Sequence, residues 1–154
     1  DVERSRGLGD VYKRQVVKSK AAEQDIIIMT AAVADFCPSH PADEKIKKND
    51  SSYESVIELE RTEDILSYLG AHKAKGQLIC GFSMETQNML ENSKAKLAKK
   101  NADMIVANNL KVAGAGFGTD TNVVTLITAD DCTELEIMDK SCVAARIMDR
   151  LLQM

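Results

Sequence analysis

Two groups of lysines stand out in a chain that is otherwise acidic. Lys45, Lys47 and Lys48 cluster within one short segment, and Lys96 and Lys100 are four residues apart, which on a helix puts both on one flank beside Leu90 and Leu97. Such lysines usually form a solvated face. As compact point charges they also suit a polyanion such as a nucleoside triphosphate. Three further segments follow apolar runs and carry small, acidic or amide side chains: Ala31 to Asp35, then Gly81, Phe82 and Glu85, then Asn108 and Asn109. Small residues let a ligand approach the backbone closely, and Asp35 supplies a carboxylate. Tight packing or an Asx turn explains any one of these segments; all three together favour a site.

Other chemistries lack their signatures. The four cysteines, Cys37, Cys80, Cys132 and Cys142, contain no CxxC pair, and only His40 and His72 could join them, so a zinc site is not expected. The thiols read as reduced and the protein as cytoplasmic, with Cys80 a plain core residue. With 24 Asp+Glu against 20 Lys+Arg, a net charge of −4 and a pI near 5.2, nucleic acid is not the expected partner. The longest apolar run lies near Ile26 to Ala34, well short of the roughly 18 residues a membrane helix needs. No Walker A sequence is present, and GAGFG at Gly114 is not followed by a helix. With no Tyr-x-x-x-Lys pair either, a nicotinamide-dependent oxidoreductase is disfavoured.

The elements that must hold these residues follow from periodicity. Asp25 to Thr30 (DIIIMT) has the composition of a parallel strand buried on both faces and central in its sheet. Gln77 to Phe82 and Met104 to Ala107 read as two more strands, with an amphipathic helix over Thr86 to Asn101 between them. Thr62 can N-cap a helix whose first turn holds Glu63 and Asp64, with Gly76 as its stop. Lys45 to Lys48 and Ser55 to Glu60 could pair as a ribbon or flap. Val123 to Ile127 and Glu134 to Met138 read as a hairpin turning near Asp130 and Asp131, and Ser141 to Leu152 as a final helix. The alternation predicts an α/β three-layer sandwich with a mostly parallel, Rossmann-like sheet, and ligands bind such sheets at the carboxyl ends of the strands. Residues 1–15 read as a non-native or disordered leader, with one domain over 16–154 whose first helix spans Val17 to Glu23.

The series AAVADF (Ala31 to Phe36), EKIKK (Glu44 to Lys48), ELERTEDIL (Glu58 to Leu66), GFSMET (Gly81 to Thr86), KNADMIVANN (Lys100 to Asn109) and FGTDTNVVTLI (Phe117 to Ile127) resembles the bacterial phosphopantothenate-cysteine ligases. In many bacteria that ligase is the C-terminal half of a bifunctional coenzyme A biosynthesis flavoprotein. The resemblance implies that CTP, with Mg²⁺, activates the carboxylate of 4'-phosphopantothenate as an acyl-cytidylate, after which the amine of cysteine displaces CMP. It places nucleotide contacts on Asp35, Lys45, Glu63, Asp64, Ile65, Leu66, Phe82, Lys96 and Lys100, a catalytic role on Lys45, and substrate contacts on Ala31 and Ala32. It also implies a homodimer with the flap near the subunit contact. FMN belongs to the decarboxylase half.

Two departures qualify this reading. Cys37 stands where the family often has Arg. The strand, Gly-rich loop and Asn with which the family's domain begins do not precede Val16, so the chain is expected to be a fragment, inactive or feeble alone. The alternative is a nucleotide-binding module without chemistry, which would bind CTP and release no pyrophosphate.

Overall fold

The computed structural model describes residues 8–31, 33–42, 44, 56–85, 88–109 and 118–154. Helix α1 (Leu8–Lys20) and a 3-10 turn (Ala21–Glu23) lead into strand β1 (Ile26–Met29). A short antiparallel ribbon follows, β2 (Phe36–Pro38) against β3 (Leu59–Arg61). Helix α2 (Ile65–Ala71) precedes strand β4 (Leu78–Glu85), and helix α3 (Met89–Lys100) precedes strand β5 (Met104–Asn109). Strands β6 (Thr121–Asn122), β7 (Val124–Ile127), β8 (Cys132–Glu134) and β9 (Met138–Asp139) then lead to helix α4 (Lys140–Leu151).

The central sheet has the order β1-β4-β5-β7-β8. It is parallel across β1, β4 and β5, where helices alternate with strands, and antiparallel where the hairpin β7–β8 joins it. This is the α/β architecture the alternation predicts. Residues alternate between its faces. Cys80, Met104, Val106, Val124 and Leu126 pack against Val143, Ile147 and Leu151 of α4. On the opposite face Ile79 packs with Ile65 and Leu69 of α2, and Val17 of α1 joins that cluster. Buried Gln77 clamps the start of β4 to the turn after α1, donating to the carbonyls of Ala21 and Gln24 at 2.7 and 2.6 Å.

Several sequence expectations are corrected. β1 is not central among the described strands: it pairs with β4 alone at the sheet's edge, so all four of its residues are only half-buried. The cap of α2 is Asp64, whose carboxylate accepts from the Ser67 amide at 2.8 Å; Thr62 instead turns its hydroxyl onto the Ala34 carbonyl. That helix ends at Ala71, and Gly76 (φ 83°) serves the turn into β4 rather than the helix end. The partner of Leu59–Arg61 in the ribbon is Phe36–Pro38; the expected partner, Lys45 to Lys48, lies outside the described residues, as do Gly114 and Gly116. The helix expected over Val17 to Glu23 begins at Leu8 and finishes as a 3-10 turn, and within it Arg14 reaches Glu63 at 3.3 Å. No described helix is long and apolar enough to cross a membrane.

Candidate functional site

The carboxyl ends of β1, β4 and β5 open into a cleft of about 430 Å³, floored by the strands and walled by α2 and α3. A loop, a helix start and a helix end bring its polar groups together. The segment after β1 contributes Ala31 and Asp35, the entry to α2 contributes Glu63, Asp64, Ile65 and Leu66, and α3 sends in Lys96 and Lys100. Phe82, Ser83 and Asn108 complete the strand side.

Local chemistry holds each of these. Thr62 ties the Asp35 loop to the start of α2 twice, its amide donating to the Asp35 carbonyl at 3.0 Å and its hydroxyl to that of Ala34. Lys96 donates from Nζ to the Phe82 carbonyl at 2.9 Å, which pulls the ammonium down to the end of β4. Lys100 Nζ lies on the Asp64 carboxylate and also reaches Ser67 Oγ at 2.9 Å. Asn101 ends α3 in the left-handed region (φ 49°) and donates to the Gly70 carbonyl at 2.7 Å, fixing the last turn of α3, and with it Lys100, against α2.

The charges are partly self-compensated. A hydrogen bond from Lys18 holds the Glu63 carboxyl below its ordinary range against a smaller opposing effect of burial, and Arg14 adds to the lowering. Burial works to raise Asp64, but Lys100 and the Ser67 amide outweigh it and keep the carboxyl below its usual value. Asp35 makes no ion pair among the described residues, and Lys96 none with a carboxylate. Among the described residues the arrangement therefore offers a carboxylate and an ammonium outside any ion pair, and one ammonium already paired.

Of the residues singled out from sequence, Ala31, Asp35, Glu63, Asp64, Ile65, Leu66, Phe82, Lys96 and Lys100 all border this cleft. Their forms of contribution differ. Ile65 is a core residue, 4% exposed, that borders the cleft while packing with Leu69 and Ile79. Phe82 is half-buried against the α4-side core. Lys45 and Ala32 lie outside the described residues. Sequence reasoning missed Ser67 and the Thr62 tie; the Asp-x-x-Ser spacing at Asp64 and Ser67 was the legible signal for the first, and the second depends on a contact across 28 residues.

The family model for the DNA/pantothenate metabolism flavoprotein C-terminal domain matches residues 11–154. The coenzyme A biosynthesis bifunctional protein CoaBC of Bacillus subtilis is 47% identical over 139 residues, covering 90% of this chain and 34% of that protein. A protein named cysteine/cysteine sulfinic acid decarboxylase, from an unknown prokaryotic organism, is also 47% identical, over 131 residues that cover 84% of this chain and 36% of that one. The crystal structure of the C-terminal domain of a CoaBC protein superposes with a TM-score of 0.70 at 40% identity, covering 91% of this chain and 61% of that one. The chain thus spans about a third of the length of these two full-length relatives.

Proposed function

The chain belongs to the DNA/pantothenate metabolism flavoprotein C-terminal domain family, and from that premise we propose that it forms the nucleotide-holding part of a phosphopantothenate-cysteine ligase of coenzyme A biosynthesis. The observation that carries this reading is the convergence of Asp35, Lys96 and Lys100, from three separate segments, on one cleft at the carboxyl ends of parallel strands. In the proposed reaction a carboxylate oxygen of 4'-phosphopantothenate attacks the α-phosphorus of CTP and pyrophosphate leaves. The cysteine amine then attacks the acyl carbon, loses a proton, and CMP leaves.

The first step brings a carboxylate toward a triphosphate, so its barrier is dominated by negative charge, which fixed cations offset best in a cleft partly shielded from water. Lys96 and Lys100 sit where they can do this on the α3 wall, and Lys45 is proposed to do it from the flap. Three ammonium groups, one of them shared with Asp64, do not balance a triphosphate and an attacking carboxylate, and a Mg²⁺ brought by the nucleotide would supply the remaining positive charge. Such an ion is held chiefly by phosphate oxygens, and Asp35 at the cleft is the carboxylate placed to join them. Ala31, with no side chain beyond Cβ, leaves room for the pantothenate end. We further propose a homodimer, supported by the apolar residues exposed along the ribbon, Phe36, Val56, Ile57 and Leu59.

Calorimetry of CTP with Mg²⁺ on this chain, followed by a coupled assay with CTP, 4'-phosphopantothenate and cysteine beside the Bacillus relative, tests the reading. CTP binding by this chain, with phosphopantothenoylcysteine formed by the relative, is the expected result. Absence of CTP binding overturns it. Release of carbon dioxide from cysteine alone would instead favour the reaction named for the second relative.

A further inference from the structure

We propose that Asp64 is an internal stand-in for the ligand anion: it occupies Lys100 while the cleft is empty and gives it up when a polyphosphate binds, so that it weakens the grip of the cleft on small anions. The proposal rests on the reading of the cleft as a polyanion site and adds to it a residue that sets how strongly charged a ligand must be.

Three observations carry it. The Lys100 side chain is only 14% exposed, whereas that of Asp64 is 45% exposed, so the cation is the half of the pair that cannot turn to solvent and the carboxylate is the half that can. Lys100 has a second hold in Ser67 Oγ, which keeps the ammonium at the cleft wall when Asp64 leaves it. Asp64 also has a second task, because one of its oxygens, Oδ1, accepts from the Ser67 amide as the cap of α2 while the other, Oδ2, faces Lys100. The cap bond through Oδ1 keeps Asp64 at the head of α2 while Oδ2 gives up Lys100, so the exchange needs no movement of the helix. The neighbouring carboxylate, Glu63, is engaged by Arg14 and Lys18 and does not compete for Lys100. An arriving phosphate oxygen must displace Asp64 from Lys100 and come to rest beside a negative charge. A triphosphate gains enough from Lys96 and the rest of the site to do so, whereas a weakly charged anion does not.

The substitution Asp64→Asn separates these tasks, since Asn caps helices as well as Asp but carries no charge. Without an anion, Asp64→Asn leaves a largely buried ammonium uncompensated and melts lower than the native chain. Inorganic tripolyphosphate, used as the probe, then binds it about fivefold more tightly, the scale of a partly exposed charge pair, and raises its melting temperature by more than it raises that of the native chain. Inorganic phosphate shows the same fold gain, so the ratio of the two affinities is unchanged while phosphate binding rises toward the measurable range. Adding Lys100→Met to Asp64→Asn removes the gain. A gain that survives in the double variant reflects only the loss of a repelling charge and overturns the exchange; so does unchanged or weaker binding by Asp64→Asn. Should Asp64→Asn not fold, Asp64→Ser keeps a capping oxygen and carries the same test. Because the probe has no base or sugar, loss of CTP binding with retention of the tripolyphosphate effect would discard the nucleotide reading and keep this one.

Discussion

At the scale of single residues, what matters is which charges in the cleft are already spent. Lys96 donates to a backbone carbonyl and pairs with no carboxylate among the described residues, so in the proposed reading its charge serves the ligand. Replacing it with Ala should lower CTP affinity about tenfold or more, the worth of a charge-assisted hydrogen bond, while the melting temperature moves little because only one part-buried hydrogen bond is lost. Calorimetry alongside thermal melting checks this, and a large drop in melting temperature with affinity preserved would make Lys96 a structural residue. Asp64 is different, because its carboxyl is held below its ordinary value of 3.8 in the fold. Its contribution to stability is therefore present above that value and is lost as pH falls through the lower value of the folded state. Urea unfolding of the native chain and Asp64→Asn should show a constant difference from pH 7 to pH 5 that closes below about pH 3.8. A difference that widens toward acid would mean that the fold raises this carboxyl. Cys80 illustrates a titratable group removed from chemistry: burial first, then the charge of Asp103, push its thiol up to about 12, so it stays neutral as the core residue its sequence context predicts.

At the scale of elements, the position of Lys100 depends on how closely α3 ends against α2. A Cβ on Gly70 would lie 1.8 Å from the Lys100 carbonyl oxygen, a backbone atom that cannot swing away. Alanine ordinarily favours a helix over glycine by about 1 kcal/mol, but here the clash must separate the two helices. The Gly70→Ala variant should thus lose about 2–3 kcal/mol in urea unfolding, at the upper end of overpacking costs, and bind CTP more weakly because Lys100 moves with its helix. Gly81 provides the control. Its added Cβ meets Leu66 Cδ2 at 2.6 Å, the far end of a flexible side chain, so Gly81→Ala should lose less. The reverse order of the two losses would show that α2 and α3 are not packed as closely as this geometry requires.

At the scale of the whole molecule, the ribbon and the stretch leading into β3 expose several large apolar residues. Val56 is 84% exposed, Ile57 71% and Leu59 59%, and Phe36 across the ribbon is half exposed, with the Arg61 guanidinium over its ring. An apolar patch of this kind marks a surface that another molecule covers, and the proposed homodimer would cover it. Sedimentation of the native chain should give a dimer, and Val56→Asp combined with Ile57→Asp a folded monomer. A native chain that sediments as a monomer at every concentration refutes the dimer.

Local physics made much of this molecule legible in its sequence. The β-branched run at Ile26, the apolar alternation through Cys80 and Met104, and the lysine spacing on α3 each specify an element and a face, because strand and helix periods are intrinsic to the backbone. The same periods explain why the segment after β1, the carboxyl-terminal residues of β4 and β5, and the lysines at positions 96 and 100 share one cleft: parallel strands joined by helices bring their carboxyl ends to one side. What tertiary structure alone decided were contacts between distant segments. Thr62 and Asp64 are both good caps by composition, and the choice fell to Asp64 because the Thr62 hydroxyl is drawn to the Ala34 carbonyl, 28 residues away. β1 is apolar enough to be central yet lies at the edge of the described sheet, since strand order depends on which crossovers the chain makes and not on the composition of any one strand. That Lys100 is paired and Lys96, among the described residues, is not could not be read from two equivalent lysines one turn apart; it follows from where α2 places its cap.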